Sequence, residues 1–87
     1  MYEWAASHLQ PGQTFSKSEP KAWFAENYPK LSLNSIDREV EVMSINNPIR
    51  RHNLSVKPAL WYDLFYKVGP DCFRLWNPQT DGLPIYP

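Results

Sequence analysis

Eighty-seven residues make one small domain, with room for a modest hydrophobic core and none for a second. Nine Lys plus Arg balance nine Asp plus Glu, so overall charge does not draw in a polyanion and any such partner must be recognised locally. A hydrophobic fraction of 43%, with four Trp, five Tyr and four Phe, points to a packed globule and excludes a disordered chain.

Tyr2, Trp4, Ala5, Ala6 and Leu9 follow helical spacing and predict a short first helix that ends at the turn "QPGQ". "QTFS" is brief and partly β-prone. Ser16 or Ser18 can cap a second helix over about Ser18 to Asn27, with Glu19 and Pro20 suited to its first turn and Trp23, Phe24 and Tyr28 at helical spacing. After "YPKLS", Asn34 or Ser32 can cap a third helix. Its Leu33, Ile36, Val40 and Met43 point one way, while Ser35, Asp37, Arg38, Glu39, Glu41 and Val42 lie on or near the other side. That helix fades by Asn46, because Pro48 disfavours helical geometry at Asn47. Residues 47–58 have little periodicity and read as a connection. "LWYDLFYKV" and "CFRLW" flank the tight "GPD" and predict an antiparallel hairpin. Within it Phe65 and Lys67 share one face of the first strand, and Phe73 and Leu75 share a face of the second. The tail "NPQTDGLPIYP" is rich in turn residues and either wraps the surface or leads into another domain.

Helix, short strand, helix, helix and hairpin is the order of a winged helix-turn-helix, an α+β fold of three helices plus a C-terminal β-hairpin wing. A single domain over residues 1–87 is expected, with its core at about 2–77 and a tail at 78–87. Winged helices also serve as protein-binding modules, so the fold does not fix the function.

The runs "AWFAENYPKLSLNSIDREVEVMSINNPIRRH" and "DLFYKVGPDCFRLWNPQTD" resemble a family of small prokaryotic winged-helix domains found alone or beside restriction-endonuclease and HNH-type nuclease modules. The likeness spans roughly Phe15 to Asp81, and its most specific parts are "NYP", "MSINNPIRRH" and "LFYKVGPDCFRLWNP". It implies a DNA-binding or DNA-sensing role in defence against foreign DNA. Asn46, Asn47, Pro48 and Arg50 match the family motif, and the family more often has a small hydroxyl residue where this chain has Ile49.

The densest positive cluster is Arg50, Arg51 and His52, just beyond the third helix. Guanidinium forks suit phosphate oxygens, and Arg38, Lys57, Lys67 and Arg74 extend the patch if the fold gathers them. The bland alternative is that the arginines are solvated or pair with Asp37, Glu39 or Glu41. Asn34, Ser35 and Arg38 begin the helix that enters the major groove in winged-helix DNA binders, whereas the three acids on the same helix repel phosphate. Lys67 and Arg74 can act from the wing, although the hairpin reads first as packing. Asn46 and Asn47 combine polar contact with stopping the helix, Asn47 leaning to the structural role. Trp61, Tyr62 and Trp76 read as core and can stack on a base only if exposed.

Catalysis has little to work with. His8 and His52 lie far apart, Cys72 sits in a predicted strand, and Glu39 and Glu41 diverge on a helix. Three glycines make no phosphate loop, and no His, Cys or carboxylate cluster has metal spacing, so no enzyme activity, cofactor or metal is expected. One cysteine excludes an internal disulfide and suits a reducing compartment. No apolar run approaches the ~20 residues that cross a bilayer, and "MYEWAASHLQ" lacks signal-peptide features, so a soluble cytoplasmic protein is expected. The leading expectation is a non-enzymatic module for double-stranded DNA, the recognition part of a restriction or other defence system. The alternative is a protein-interaction winged helix that docks a nuclease domain or subunit, favoured by the acidic third helix and the zero net charge.

Overall fold

The computed structural model describes residues 1–59 and 61–87. Three helices, α1 (Tyr2–His8), α2 (Ser18–Asn27) and α3 (Leu33–Val42), precede a 3-10 helix at Pro48–His52 and a hairpin of β1 (Phe65–Gly69) and β2 (Cys72–Leu75). This is a winged-helix-like α+β fold, with an antiparallel two-stranded sheet at the C-terminal end.

The N-cap positions of the three helices are Met1, Lys17 and Ser32, and none of them caps through a side-chain bond, so the expected hydroxyl caps are not used. Ser16 and Ser18 bond each other at 2.6 Å. The start of α2 is secured by Glu19, whose carboxylate accepts the Ser16 N–H at 2.9 Å while its own N–H donates to the Ser16 carbonyl at 3.1 Å. This is half of a capping box, with the backbone in place of the serine side chain. Ser32 holds the cap position of α3 without a side-chain bond, and Asn34 lies inside the first turn.

The core gathers Trp4 and Ala5 from α1 with Leu9 just after it, Phe24 from α2, Ile36 and Val40 from α3, and Leu64, Phe65 and Phe73 around the hairpin. Phe15 sits among them, with ring centroids 5.0 Å from Trp4 and 4.9 Å from Phe65. Its backbone exchanges both hydrogen bonds with Phe73, at 2.8 and 2.9 Å, which adds one antiparallel bridge beside β2. On the other edge Ser44 bridges Phe65 in parallel, and the Ile45 N–H donates to the Phe65 carbonyl at 2.8 Å. The hairpin is thus held on both sides by the helical part of the chain.

Several expectations need correction. Leu33 is 43% exposed and Val42 only 6%, so the inward stripe of α3 starts at Ile36 and the Val42 side is covered as well. Asn53, Ser55, Trp61 and Tyr62 come back toward that side of the helix and line a cleft together with Val42. Residues 47–58 are not a plain connection. Asn47 caps the 3-10 helix there by accepting the Ile49 N–H at 3.1 Å, and Pro48 takes its first position, where a missing N–H costs nothing. The first strand begins at Phe65 and not at Leu60, which lies outside the described residues. Ala59 accepts the N–H groups of Tyr62 and Asp63, so the chain turns before it extends. The tail wraps the surface: Ile85 N–H donates to the Ile45 carbonyl at 2.8 Å, and the Trp76 indole donates to the Gly82 carbonyl at 3.3 Å.

Candidate nucleic-acid interface

The opening cluster Arg50, Arg51 and His52 is split by the 3-10 helix that carries it. Successive side chains on such a helix diverge by about 120°. Arg50 turns inward to 0% exposure, while Arg51 and His52 stay exposed with no ion pair among the described residues. The Arg50 guanidinium donates to Asp63 at 2.5 Å and to the Tyr62 carbonyl at 3.5 Å, and lies 5.5 Å from the Tyr86 ring centre. Enclosed in this way it is not available to a phosphate, so the expectation for Arg50 is corrected to a structural role.

Three other predicted contacts are also committed internally. Asn46 pairs with the Lys67 backbone as a strand would, donating to its carbonyl at 2.9 Å and accepting its N–H at 2.8 Å. Lys67 gives its ammonium to Glu41 at 2.6 Å, and Arg74 forms a fork to Asp81 at 2.6 and 2.7 Å. The wing therefore presents its two cations already neutralised. Asn34, Ser35 and Arg38 remain exposed on the outward side of α3.

Two of the three acids on α3 are neutralised as well. Asp37 receives Lys21 of α2 at 3.1 Å, and Glu41 receives Lys17 at 3.0 Å, Lys67, and the Asn47 amide at 2.9 Å. Burial alone would raise the Glu41 carboxyl, but the hydrogen bonds from Lys67 and Lys17 outweigh it and hold its pKa below the ordinary value. Only Glu39 stays exposed without a cation among the described residues of the helix. The cations in the same condition are Lys30, Arg38, Arg51 and Lys57, three of them between residues 38 and 57. Glu19 and Glu26, by contrast, line the separate groove between α1 and α2.

Beside Arg38 lies a cleft of about 460 Å³. Its helix wall is Ser35, Arg38, Glu39 and Val42, and its far wall is Asn53, Ser55, Trp61 and Tyr62. Trp61 is 60% exposed, a large ring left in water at the mouth of a concave site. Among the described residues no group of His, Cys, Asp and Glu could hold a metal ion, and no helix is long and apolar enough to cross a membrane.

A family model described as "Domain of unknown function (DUF7669)" matches residues 1–75. The chain belongs to that family. The DUF7669 match runs from α1 to the end of β2 and so contains α3, the 3-10 helix, the cleft and the hairpin. Comparisons with curated proteins and with solved structures gave no match.

Within this DUF7669 region, Asn53 and Ser55 were not foreseen as site residues. The signal for them is weak: polar residues in an aperiodic stretch read as a loop, and only the fold-back against α3 makes them a wall.

Proposed function

We infer that the chain is a non-enzymatic winged-helix module that binds double-stranded DNA through the outward side of α3, with Arg51 and His52 gripping the backbone. The observation that supports it is the internal neutralisation of Asp37 and Glu41, which removes most of the expected repulsion and leaves Asn34, Ser35 and Arg38 unencumbered on the helix. Arg38 and the polar pair suit base edges and phosphates in a major groove. The resemblance to domains beside nuclease modules supports a setting in a cytoplasmic restriction or other defence system, with the cutting done by another domain or subunit. Lys67 and Arg74 act through stability in this reading, since a phosphate would have to displace Glu41 or Asp81.

The test is fluorescence anisotropy of a random-sequence duplex across a salt series. Arg38→Ala and Arg51→Ala should each weaken binding across sequences, and the log–log salt slope should flatten by about 0.9 for every phosphate that is no longer neutralised. Neither change should move the melting temperature. Affinity unchanged in both variants would remove the central claim.

A second reading draws on Trp61 at 60%, Leu54 at 86% and Leu83 at 90% exposure. These apolar groups suit docking on a nuclease domain or subunit, and that reading gains if the duplex is ignored even at low salt.

A further inference from the structure

We propose that the cleft walled by α3 on one side and by Asn53, Ser55, Trp61 and Tyr62 on the other is a pocket for one unstacked nucleobase that bears an exocyclic amine, stacked on Trp61. The proposal rests on the DNA-binding reading and adds a second mode of recognition to it.

Four features converge on that ligand. The volume of about 460 Å³ lies within the roughly 300–1,000 Å³ of small-molecule sites. Trp61, at 60% exposure, offers a face that any base can stack on, and Arg38 on the helix wall adds a cation for the ring's π-system. The far wall supplies directional polar groups. Asn53 Oδ1 accepts from the Ser55 N–H at 3.1 Å and from its hydroxyl at 2.5 Å, which fixes the side chain and leaves the amide NH2 without a partner among the described residues. Glu39 is the deciding group. A carboxylate without a cation is a liability against phosphate, but against a base edge it accepts from an exocyclic amine, which thymine lacks. Ser35 and Asn53 then serve the ring nitrogens and carbonyl. Enzymes and sensors that inspect single bases read them in this way, with stacking on one side and hydrogen bonds at the pairing edge.

Affinities are compared for a matched duplex, the same duplex with one bulged cytosine, and the same with one bulged thymine. The wild-type chain should prefer the cytosine bulge to the matched duplex by about tenfold, the scale of one stacked base. Trp61→Ala should bring that ratio toward one, and Glu39→Gln should shrink the preference for cytosine over thymine. A ratio that is already one in the wild type, or that survives Trp61→Ala, overturns the pocket and leaves duplex binding standing. If no duplex binds, a single-stranded cytosine oligomer decides the rest. Trp61-dependent binding to it keeps the pocket and overturns the duplex reading, whereas no binding overturns both.

Discussion

Arg50 and Arg51 are neighbours in sequence with opposite fates. A guanidinium at 0% exposure has lost its water, and Asp63, itself only 9% exposed at the side chain, is what offsets the loss. Its Nε finds no partner among the described residues, so the pair is a costly device that depends on both members. Arg50→Ala should destabilise the fold by about 3–5 kcal/mol, because Asp63 keeps a buried charge with no counterpart. Arg51→Ala should stay within about 0.5 kcal/mol, as an exposed side chain without an internal partner does. Urea denaturation of the two variants checks both, and equal stabilities would refute the buried pair. Asp81 makes a second residue-scale case. The hydrogen bond from Arg74, opposed by burial and helped by the Asn77 N–H, lowers its pKa from 3.8 to about 2. A carboxyl with a depressed folded-state pKa gives stability that is present above the unfolded value and lost as pH falls through the folded one. The window is therefore pH 3.8 down to about 2. Asp81→Asn should remove that part of the acid transition followed by circular dichroism.

At the scale of elements, Asn46 acts as a strand of one residue. Its amide exchanges both hydrogen bonds with the Lys67 backbone, which ties the end of α3 to the wing. Asn46→Ala would leave a strand N–H and carbonyl unpaired at about 1–3 kcal/mol, while Asn46→Asp keeps the acceptor and should cost less. Thermal melts of the two rank them, and an alanine as stable as the wild type would deny the bracing role. The sequence read the helices well where periodicity and caps agreed. The bounds of α2 were legible because Glu19, Pro20 and the Phe24 stripe all point to the same start and face. It read the faces of the hairpin correctly from alternation, with Phe65 and Phe73 both at 0% exposure. It overran the start of β1, since Trp61, Tyr62 and Leu64 have the aromatic and apolar character of a strand but lie on a turn that delivers Asp63 to Arg50. Charge was the least legible property. Glu41 pairs with lysines 24 and 26 positions away, separations that no local pattern encodes.

For the whole molecule, the tail decides whether the buried pair is viable. Residues 78–87 reach back so that Ile85 bonds Ile45 at 2.8 Å, and the Tyr86 hydroxyl donates to the second oxygen of Asp63 at 2.5 Å. The Tyr86 ring also lies over Arg50, so the tail supplies both apolar cover and a neutral donor to the same carboxylate. Burial, then the hydrogen bond to Asp63, push the Tyr86 hydroxyl up from 10.0 to about 12. A group whose folded-state pKa is raised contributes in full below its unfolded value and loses that contribution as pH climbs to the folded one. Stability should therefore fall between pH 10.0 and about 12 in the wild type and be flatter there in Tyr86→Phe. Removing residues 78–87 should do more. It takes away Asp81 as well as Tyr86, freeing Arg74 while opening Arg50 and Asp63 to water. The shortened chain should unfold at lower urea and yet, on the DNA-binding reading, hold a duplex more tightly, because Arg74 becomes available to phosphate while Arg50 keeps Asp63. Anisotropy and denaturation run on the same shortened chain separate the two effects. Lower stability with unchanged affinity would mean that Arg74 does not lie near the bound backbone.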